Sequence, residues 1–471
     1  MIRAIHTTAI DPPALDGGIA LPYSSLAGGC MIRSGEHAFK PEAQLFWPRE
    51  PILCIHADQN GSYITTKKGV QRRFQGIWDA LEWLSRELLI SKFPAQFPVA
   101  AGYLSYELLH HIEEIPRPAH DPFQIPYYVF YLYRQVREYN ESSQSTFLHT
   151  LDYGDLYEPF WRAEADESFV VAEKLEGGYN SIAADDIEEV LSEASNFTRH
   201  SYTRAVEDIR GRIERGLVYQ VNLTQRFTLP FSGPPGYFFS CLDSIVPARY
   251  ATYLNVSGLG HQQQFVVASS SPELFIYSDG GSLLTSPIKG SCMRGSDPDS
   301  DHQAIEALKS SVKDRAELAM IVDLARNDLG KVSEIGSVEV LEHARVDTLP
   351  YAHHLVSDVV SRRDGRFDLP SLIRAMFPCG SITGAPKIAA MEAISELEDA
   401  ARGVYTGAVG YLGTGGACQF NVAIRTAVIK NSQLIFQTGG GIVFDSDAEI
   451  EYRESMFKAA GLYRAWKAAS R

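Results

Sequence analysis

The sequence predicts an α+β chain built on large antiparallel β-sheets with helices on the outside. Strand-like and helix-like segments arrive in groups and not in strict alternation, which argues against a doubly wound parallel sheet. The strand segment "YQVNLTQRF" alternates, with Tyr219, Val221 and Leu223 on one face and Gln220, Asn222 and Thr224 on the other. Just before it, Tyr202, Val206, Ile209, Ile213 and Leu217 recur at helical spacing, with Gly216 as a natural stop.

The elements fall into two regions joined by an acidic stretch. Residues 1–150 are rich in strands ("PILCIHA", "GSYITTKKGV", "IPYYVFYLYRQVREY", "STFLHTL") with one good helix, "GIWDALEWLSRELLI". Residues 151–197 are an acidic linker in which "DDIEEVLSEA" reads as a short helix. Residues 198–471 continue with strands at "QQFVVASS", "ELFIYSD", "GAVGYLG", "FNVAIRTAVIK" and "QLIFQTGG". Its helices are "SDHQAIEALKSSVKDRAELAMIVDLARNDLG", "LPSLIRAMF", "APKIAAMEAISELE" and "IEYRESMFKAAGLYRAWKAA".

Composition narrows the function classes. With 471 residues, 45% apolar and 21% charged, the chain is long enough for two or three domains or one large intertwined one. The longest apolar run, "YYVFYLY", is far short of a membrane span, and the N-terminal stretch lacks the apolar core of a secretory signal. Six cysteines are scattered without a CxxC pair, as expected of free thiols in a reducing cytoplasm. A net charge of −15 argues against nucleic acid as the main partner. It also means that any anionic ligand needs a local cation or a cluster of basic and N–H groups to reverse the field.

Several residues carry chemistry. In "TSPIKGSCMRG", Lys289 follows Pro287 and Ile288 at a strand end, where a lysine is either neutralised by a partner or chemically employed. Asp314 with Glu317, and Glu451 with Glu454, are acid pairs three apart, so each pair shares one helix face. Such pairs are common on solvated faces; four carboxylates from two helices would equally suit a hard cation such as Mg²⁺. "QTGGGIV" and "PCGSITGAPK" each allow close backbone approach to an anion, and each is also an ordinary turn composition. His353 and His354 read as core histidines or acid/base groups, and Tyr405 as a packed aromatic. Arg425, inside an apolar strand segment, needs a carboxylate from the protein or from a ligand. "SPIK" has the S-x-x-K spacing of penicillin-recognising enzymes, but no partner motif accompanies it.

Taken together, residues 196–465 resemble the chorismate-utilising enzymes. "YQVNLTQRF", "SSPELF", "PIKG", "KDRAELAMIVDLARNDLG", "HHLVS", "GSITGAPK", "GAVGY", "IRTA", "GGGIV" and "EYRESMFKA" occur in that family's order. "MIRSG" and "GYLSYEL" resemble its N-terminal part more weakly, and "MIRS" departs from the serine motif of a tryptophan pocket, which leaves Ser34 without an expected role. The resemblance implies an orthogonal sandwich of large antiparallel sheets wrapped by helices, a chorismate site and Mg²⁺ as cofactor. Within the family, the anthranilate synthase branch carries alanine at the position of Lys289, whereas the aminodeoxychorismate synthase component I branch carries lysine. The resemblance therefore implies amination of chorismate at C4, on the way to para-aminobenzoate and folate. The alternatives are an anthranilate-type aminating lyase or a non-catalytic chorismate- or tryptophan-binding regulatory paralogue.

The same resemblance assigns roles. Lys289 matches a covalent nucleophile, Glu273 an acid/base, and His354 and Ser381 positions near the ring. Tyr405 and Arg425 match groups holding the pyruvyl carboxylate, Gly439 and Gly441 backbone donors, and Lys458 a neighbour of the metal. Glu317 and Glu454 match Mg²⁺ ligands, with Glu451 and Asp314 at outer or water-mediated positions. The sequence contains no G-x-C-x-G glutaminase nucleophile, so ammonia is expected from a separate glutamine amidotransferase subunit.

Overall fold

A computed structural model describes residues 2–10, 21–22, 28–89, 93–121, 123–153, 169–170, 184–257 and 264–470. Its frame is set by strands long enough to serve several neighbours. The 15-residue strand Gln44–Asp58 pairs with Cys30–Ser34 at its start, with Gly61–Thr66 at its end and with Tyr128–Asn140 along most of its length. In the C-terminal region, Gln220–Pro230 pairs with the whole of Gln433–Ile442, which continues through Thr426–Lys430 to Phe265–Ser271 and Tyr250–Val256. These ladders are antiparallel, and the main sheet system closes on itself.

The two regions read from the sequence share this sheet system. Cys30–Ser34 pairs with Tyr250–Val256, and Ala100–Leu104 pairs with Ala408–Leu412. At the second seam Gly102 lies opposite Gly410. A Cβ on Gly102 would stand 1.7 Å from the Val129 carbonyl oxygen, and one on Gly410 would stand 1.9 Å from that of Gln419. Both clashes are with the strand on the side away from the seam, Tyr128–Asn140 for Gly102 and Ala417–Val422 for Gly410, so each glycine lets its own region's strands pack closely where the two regions join.

Two large apolar cores follow. One packs N-terminal residues such as Leu53, Phe130 and Tyr131 with Val267, Leu355 and Phe420. The other lies under the outer helices, where Val206 and Ile209 of Arg199–Glu214, Phe238 and Leu242 of Pro235–Ile245, and Met456 and Leu462 of Ala448–Ala469 cover Leu223, Phe227 and Phe436. The α+β class of large antiparallel sheets with external helices is therefore the one the chain adopts. Among the described residues, no helix is long and apolar enough to cross a membrane.

Some local expectations change. The segment read as one helix from Ser300 is two, Pro298–Ser310 and Val312–Gly330. Ser311 is extended and accepts a hydrogen bond from the Asp314 N–H, which restarts the helix. "FNVAIRTAVIK" is likewise two strands, Ala417–Val422 and Thr426–Lys430. The polar residues of "YQVNLTQRF" do not face solvent: Gln220, Asn222 and Thr224 are buried, whereas Leu217 and Tyr219 are 55% and 66% exposed. Much of the acidic linker lies outside the described residues, but Ala184–Ala194 is the short helix read there.

Because the strand Tyr128–Asn140 leaves no room for a methyl group at Gly102, Gly102→Ala should destabilise the fold by about 2–4 kcal/mol. The urea midpoint measures it, and a midpoint within error of the parent would contradict the close approach.

Candidate functional site

One cavity of about 490 Å³ opens between the glycine-rich strand, the helices Val312–Gly330 and Ala448–Ala469, and the strand carrying Lys289. Its volume suits one small ligand. All thirteen site residues read from the sequence line it: Lys289, Glu273, His354, Ser381, Tyr405, Arg425, Gly439, Gly441, Lys458, Glu317, Glu454, Glu451 and Asp314.

Lys289 is the second residue of the strand Ile288–Met293, which starts after Pro287 breaks the preceding strand, Ser282–Ser286. The register against Ala352–Arg362 slips between Lys289 and Ser291, with Gly290 at φ +76°. A Cβ on Gly290 would stand 2.8 Å from the Asp314 side chain, so this glycine lets the acidic helix come against the strand. Lys289 Nζ donates to the Ser381 carbonyl oxygen at 3.3 Å. Burial lowers its pKa; Glu317, Glu273 and Glu454 pull the other way, and Lys458 adds to the lowering. Glu273 is buried, its Oε1 has no hydrogen-bond partner, and burial pushes its carboxyl up to about 7. The site thus pairs a lysine biased toward the amine with a carboxyl biased toward the acid.

His354 and His353 separate on the two faces of one strand. His353 is held by Thr348 at 2.9 Å and Asp301 at 2.8 Å, a structural role. His354 faces the cavity; its Nδ1 lies 2.6 Å from Ser291 Oγ, its Nε2 is buried without a partner, and burial takes its pKa down to about 4. Burial thus favours the neutral imidazole at this cavity wall.

The acid pairs do face one another. Burial raises Glu317 and Glu451, each in the field of Glu454. Burial opposes ionisation of Glu454 too, but Lys458 at 2.6 Å outweighs it and lowers its pKa. Glu451 accepts from Ser446 Oγ at 2.7 Å, and Lys458 also donates to the Gly439 carbonyl oxygen at 3.0 Å. The donors are all oxygen, and the four carboxylates outnumber the two lysines paired with them, Lys458 and Lys313, which fits a hard divalent cation. Among the described residues no three His, Cys, Asp or Glu side chains are gathered closely enough to hold a metal as they stand, and the Lys458 ammonium is the cation paired with Glu454.

The glycine run is not a turn. Gly439, Gly440 and Gly441 lie within the strand Gln433–Ile442, opposite Thr224, Leu223 and Asn222. The Asn222 and Thr224 N–H groups bond to Thr383 and Glu398, so at these positions the ladder leaves the Gly441 and Gly439 N–H groups pointing away from the neighbouring strand. A Cβ on Gly440 would meet Glu451 at 3.1 Å, and one on Gly441 would meet Lys289 Nζ at 3.2 Å. Side chains here would fill the cavity.

Arg425 sits in the break between two strands, not within one, at φ +50°, an uncommon conformation for a residue with a side chain. Its guanidinium lies over the Tyr351 ring, 4.9 Å from the centroid. Tyr405 comes from the turn after Arg402, which is buried and joins the surrounding walls. Arg402 is paired with Glu398 at 2.6 and 2.8 Å, donates to Asn222 O at 2.8 Å and Ile382 O at 3.0 Å, and its carbonyl accepts from Gln437 Nε2 at 2.8 Å. Sequence reading missed Arg402, Lys313, Tyr351 and Gln220. The last is buried with both amide atoms unbonded, and a Cβ on Gly441 would stand 2.3 Å from its Nε2. The polar face of "YQVNLTQRF" was the available signal for Gln220.

Comparison with known proteins identifies the family. The family model described as chorismate binding enzyme matches residues 36–464, and the chain belongs to that family. It is 34% identical over 380 residues to aminodeoxychorismate synthase component 1 of Bacillus subtilis, covering 79% of this chain and 78% of that one. It is 35% identical over 374 residues to an anthranilate synthase component 1 of Haloarcula marismortui, covering 78% and 75%. Among solved structures, anthranilate synthase component I of Streptococcus pneumoniae superposes with a TM-score of 0.71 at 26% identity, covering 89% of this chain and 92% of that one. The protein is a chorismate-utilising enzyme of the aminodeoxychorismate and anthranilate synthase type.

Glu273 supplies a test of the site's electrostatics. Its carboxyl has a folded pKa of about 7 against an ordinary 4.5. A raised carboxyl favours the folded state while protonated, and that contribution is complete below the ordinary value and lost as pH rises through the folded one. Urea titration should therefore show Glu273→Gln gaining up to about 3 kcal/mol on the parent between mildly acidic and mildly alkaline pH. A difference that does not move with pH would contradict the raised value.

Proposed function

We propose that this enzyme aminates chorismate at C4, giving 4-amino-4-deoxychorismate, with Lys289 as a transient covalent nucleophile and ammonia supplied by a separate glutamine amidotransferase subunit. The observation that carries the proposal is Lys289 itself, an amine of lowered pKa within the cavity, beside a carboxyl at about 7. Identity to relatives does not separate the branches, because the 34% and 35% matches bear different names.

The chemistry asks for two displacements. The C4 hydroxyl of chorismate is a poor leaving group, and nitrogen must replace it with retention. Neutral Lys289 Nζ forms a bond to C2, the two ring double bonds each shift one position, and the C4–O bond breaks. Protonated Glu273 gives its proton to the departing hydroxyl, which leaves as water. Ammonia then bonds to C4 on the face the hydroxyl vacated, the double bonds return, and the C2–Nζ bond breaks to release Lys289. The proton Lys289 loses on bonding restores Glu273, and the proton ammonia loses on bonding to C4 returns to Lys289 as it leaves, so the cycle closes. Tyr405 and Arg425 would hold the pyruvyl carboxylate, with the Gly439 and Gly441 N–H groups on the same ligand.

Charge supports a metal in this scheme. With Lys289 and Glu273 neutral, the cavity holds three cations, Lys313, Arg425 and Lys458, against four carboxylates. Glu317 and Glu454, with Glu451 and Asp314 behind them, would hold Mg²⁺, which when bound neutralises the ring carboxylate and reverses the local field.

Incubating the chain with chorismate, Mg²⁺ and either ¹⁵N-ammonium or glutamine tests the proposal by product mass. The expected product carries one ¹⁵N and keeps its enolpyruvyl ether, with ammonium used and glutamine not. Lys289→Arg, which stays protonated, should lose on the order of 10³-fold in kcat. Release of pyruvate with anthranilate, or near-parental turnover by Lys289→Arg, would overturn it.

A further inference from the structure

Glu107 belongs to the N-terminal region, in "GYLSYEL", on the short turn Tyr106–His111. It lies outside the cavity lining, yet it is buried and fully engaged. Its Oε1 accepts the Arg402 N–H at 2.8 Å, and its Oε2 accepts the Gly403 N–H at 2.9 Å and the Ser105 hydroxyl at 2.8 Å. The Tyr106 N–H reaches back to the Gly403 carbonyl at 2.8 Å, so the two segments are bound in both directions. Gly403 is left-handed at φ +66°, which turns two successive N–H groups toward one carboxyl group, whose pKa burial pushes up to about 7. The Arg402 guanidinium is not the partner of this carboxylate; it is matched to Glu398 and lies over the Tyr106 ring, 4.7 Å from the centroid.

This anchor stands at the root of a cavity wall. Tyr405 follows Gly403 by two residues, and the Thr406 N–H is fixed to the Ala423 carbonyl at 2.8 Å, two residues before Arg425. The loop is thus held at its far end by the strand break that carries Arg425, and at its near end by Glu107.

We propose that Glu107 is a positioning residue: its carboxylate locks the Arg402–Gly403 turn and so sets Tyr405 against the carboxylate of the bound substrate. The inference rests on the reading of Tyr405 as a substrate clamp under the proposed function. Glu107→Gln keeps the shape but places an amide N–H where one backbone donor needs an acceptor. Losing a buried hydrogen bond at this root should weaken chorismate binding about tenfold, with the ammonium KM and kcat changed less than about threefold.

A double-mutant cycle on chorismate affinity, measured by calorimetry with Tyr405→Phe, separates the possibilities. The expected result is that Tyr405→Phe and Glu107→Gln each weaken binding and that the double variant is little worse than either. If Tyr405→Phe alone leaves affinity unchanged, the clamp reading fails. If Tyr405→Phe weakens binding while Glu107→Gln does not, or if their effects simply add, the positioning proposal is overturned. Should Glu107→Gln not fold, Ser105→Ala takes its place in the cycle on the same criteria, since the Ser105 hydroxyl joins Glu107 Oε2 to the Gly403 carbonyl at 2.8 and 3.0 Å.

Discussion

The buried ion pair between Arg402 and Glu398 is the constraint on which the cavity depends. Both side chains are shut off from water, so each charge would be costly without the other and without further hydrogen bonds. Both are fully used. Glu398 Oε1 also takes the Thr224 N–H and hydroxyl at 2.9 Å, while Arg402 reaches the backbone of Asn222 and Ile382 and receives Gln437. One pair thereby ties a strand edge, the Gly380–Ile382 turn, the glycine-rich strand and the Tyr405 loop. Breaking a buried pair of this kind costs about 3–5 kcal/mol, since the survivor is left uncompensated. Here the loss would also release four walls of one site.

Charge within those walls follows from burial more than from any single partner. A chain of net charge −15 has to receive an anionic substrate. Desolvation lowers Lys289 and raises Glu273, Glu317 and Glu451. The same effect therefore biases a lysine toward its neutral amine, stores a proton on a neighbouring carboxyl, and leaves a carboxylate cluster favourable to an added cation. His354, kept neutral by burial and bonded to Ser291, adds a polar group without adding charge.

Much of this was legible in the sequence because it is written locally. Lys289 between Pro287 and Gly290, the acid pairs at helical spacing and the three glycines are each contained in a few consecutive residues, and all of them meet in one cavity. What was not legible depends on distant partners. Arg402 is an isolated arginine until Asn222, 180 positions away, and Gln437 come to it, and Glu107 has no visible role before it meets Arg402, 295 positions on. Arg425 looked like a strand residue because its apolar neighbours continue the pattern; the backbone break at φ +50° comes from the cavity wall it completes. Likewise Ser311 looked helical, and its extended backbone is explained by the Asp314 N–H that it caps. The polar face of "YQVNLTQRF" was visible, but that it is buried and not solvated is decided by distant partners such as Glu398 and the strand opposite.

The central claim is that Lys289 bonds to the substrate carbon and does not merely pair with a carboxylate. Intact-mass analysis of the protein incubated with chorismate and Mg²⁺ but no ammonia, followed by peptide mapping, tests it most directly. A covalent nucleophile predicts an adduct of chorismate less one water on the peptide carrying Lys289, discharged on adding ammonium. An unmodified protein under conditions where ammonium-dependent turnover proceeds, with activity retained in Lys289→Arg, would contradict it.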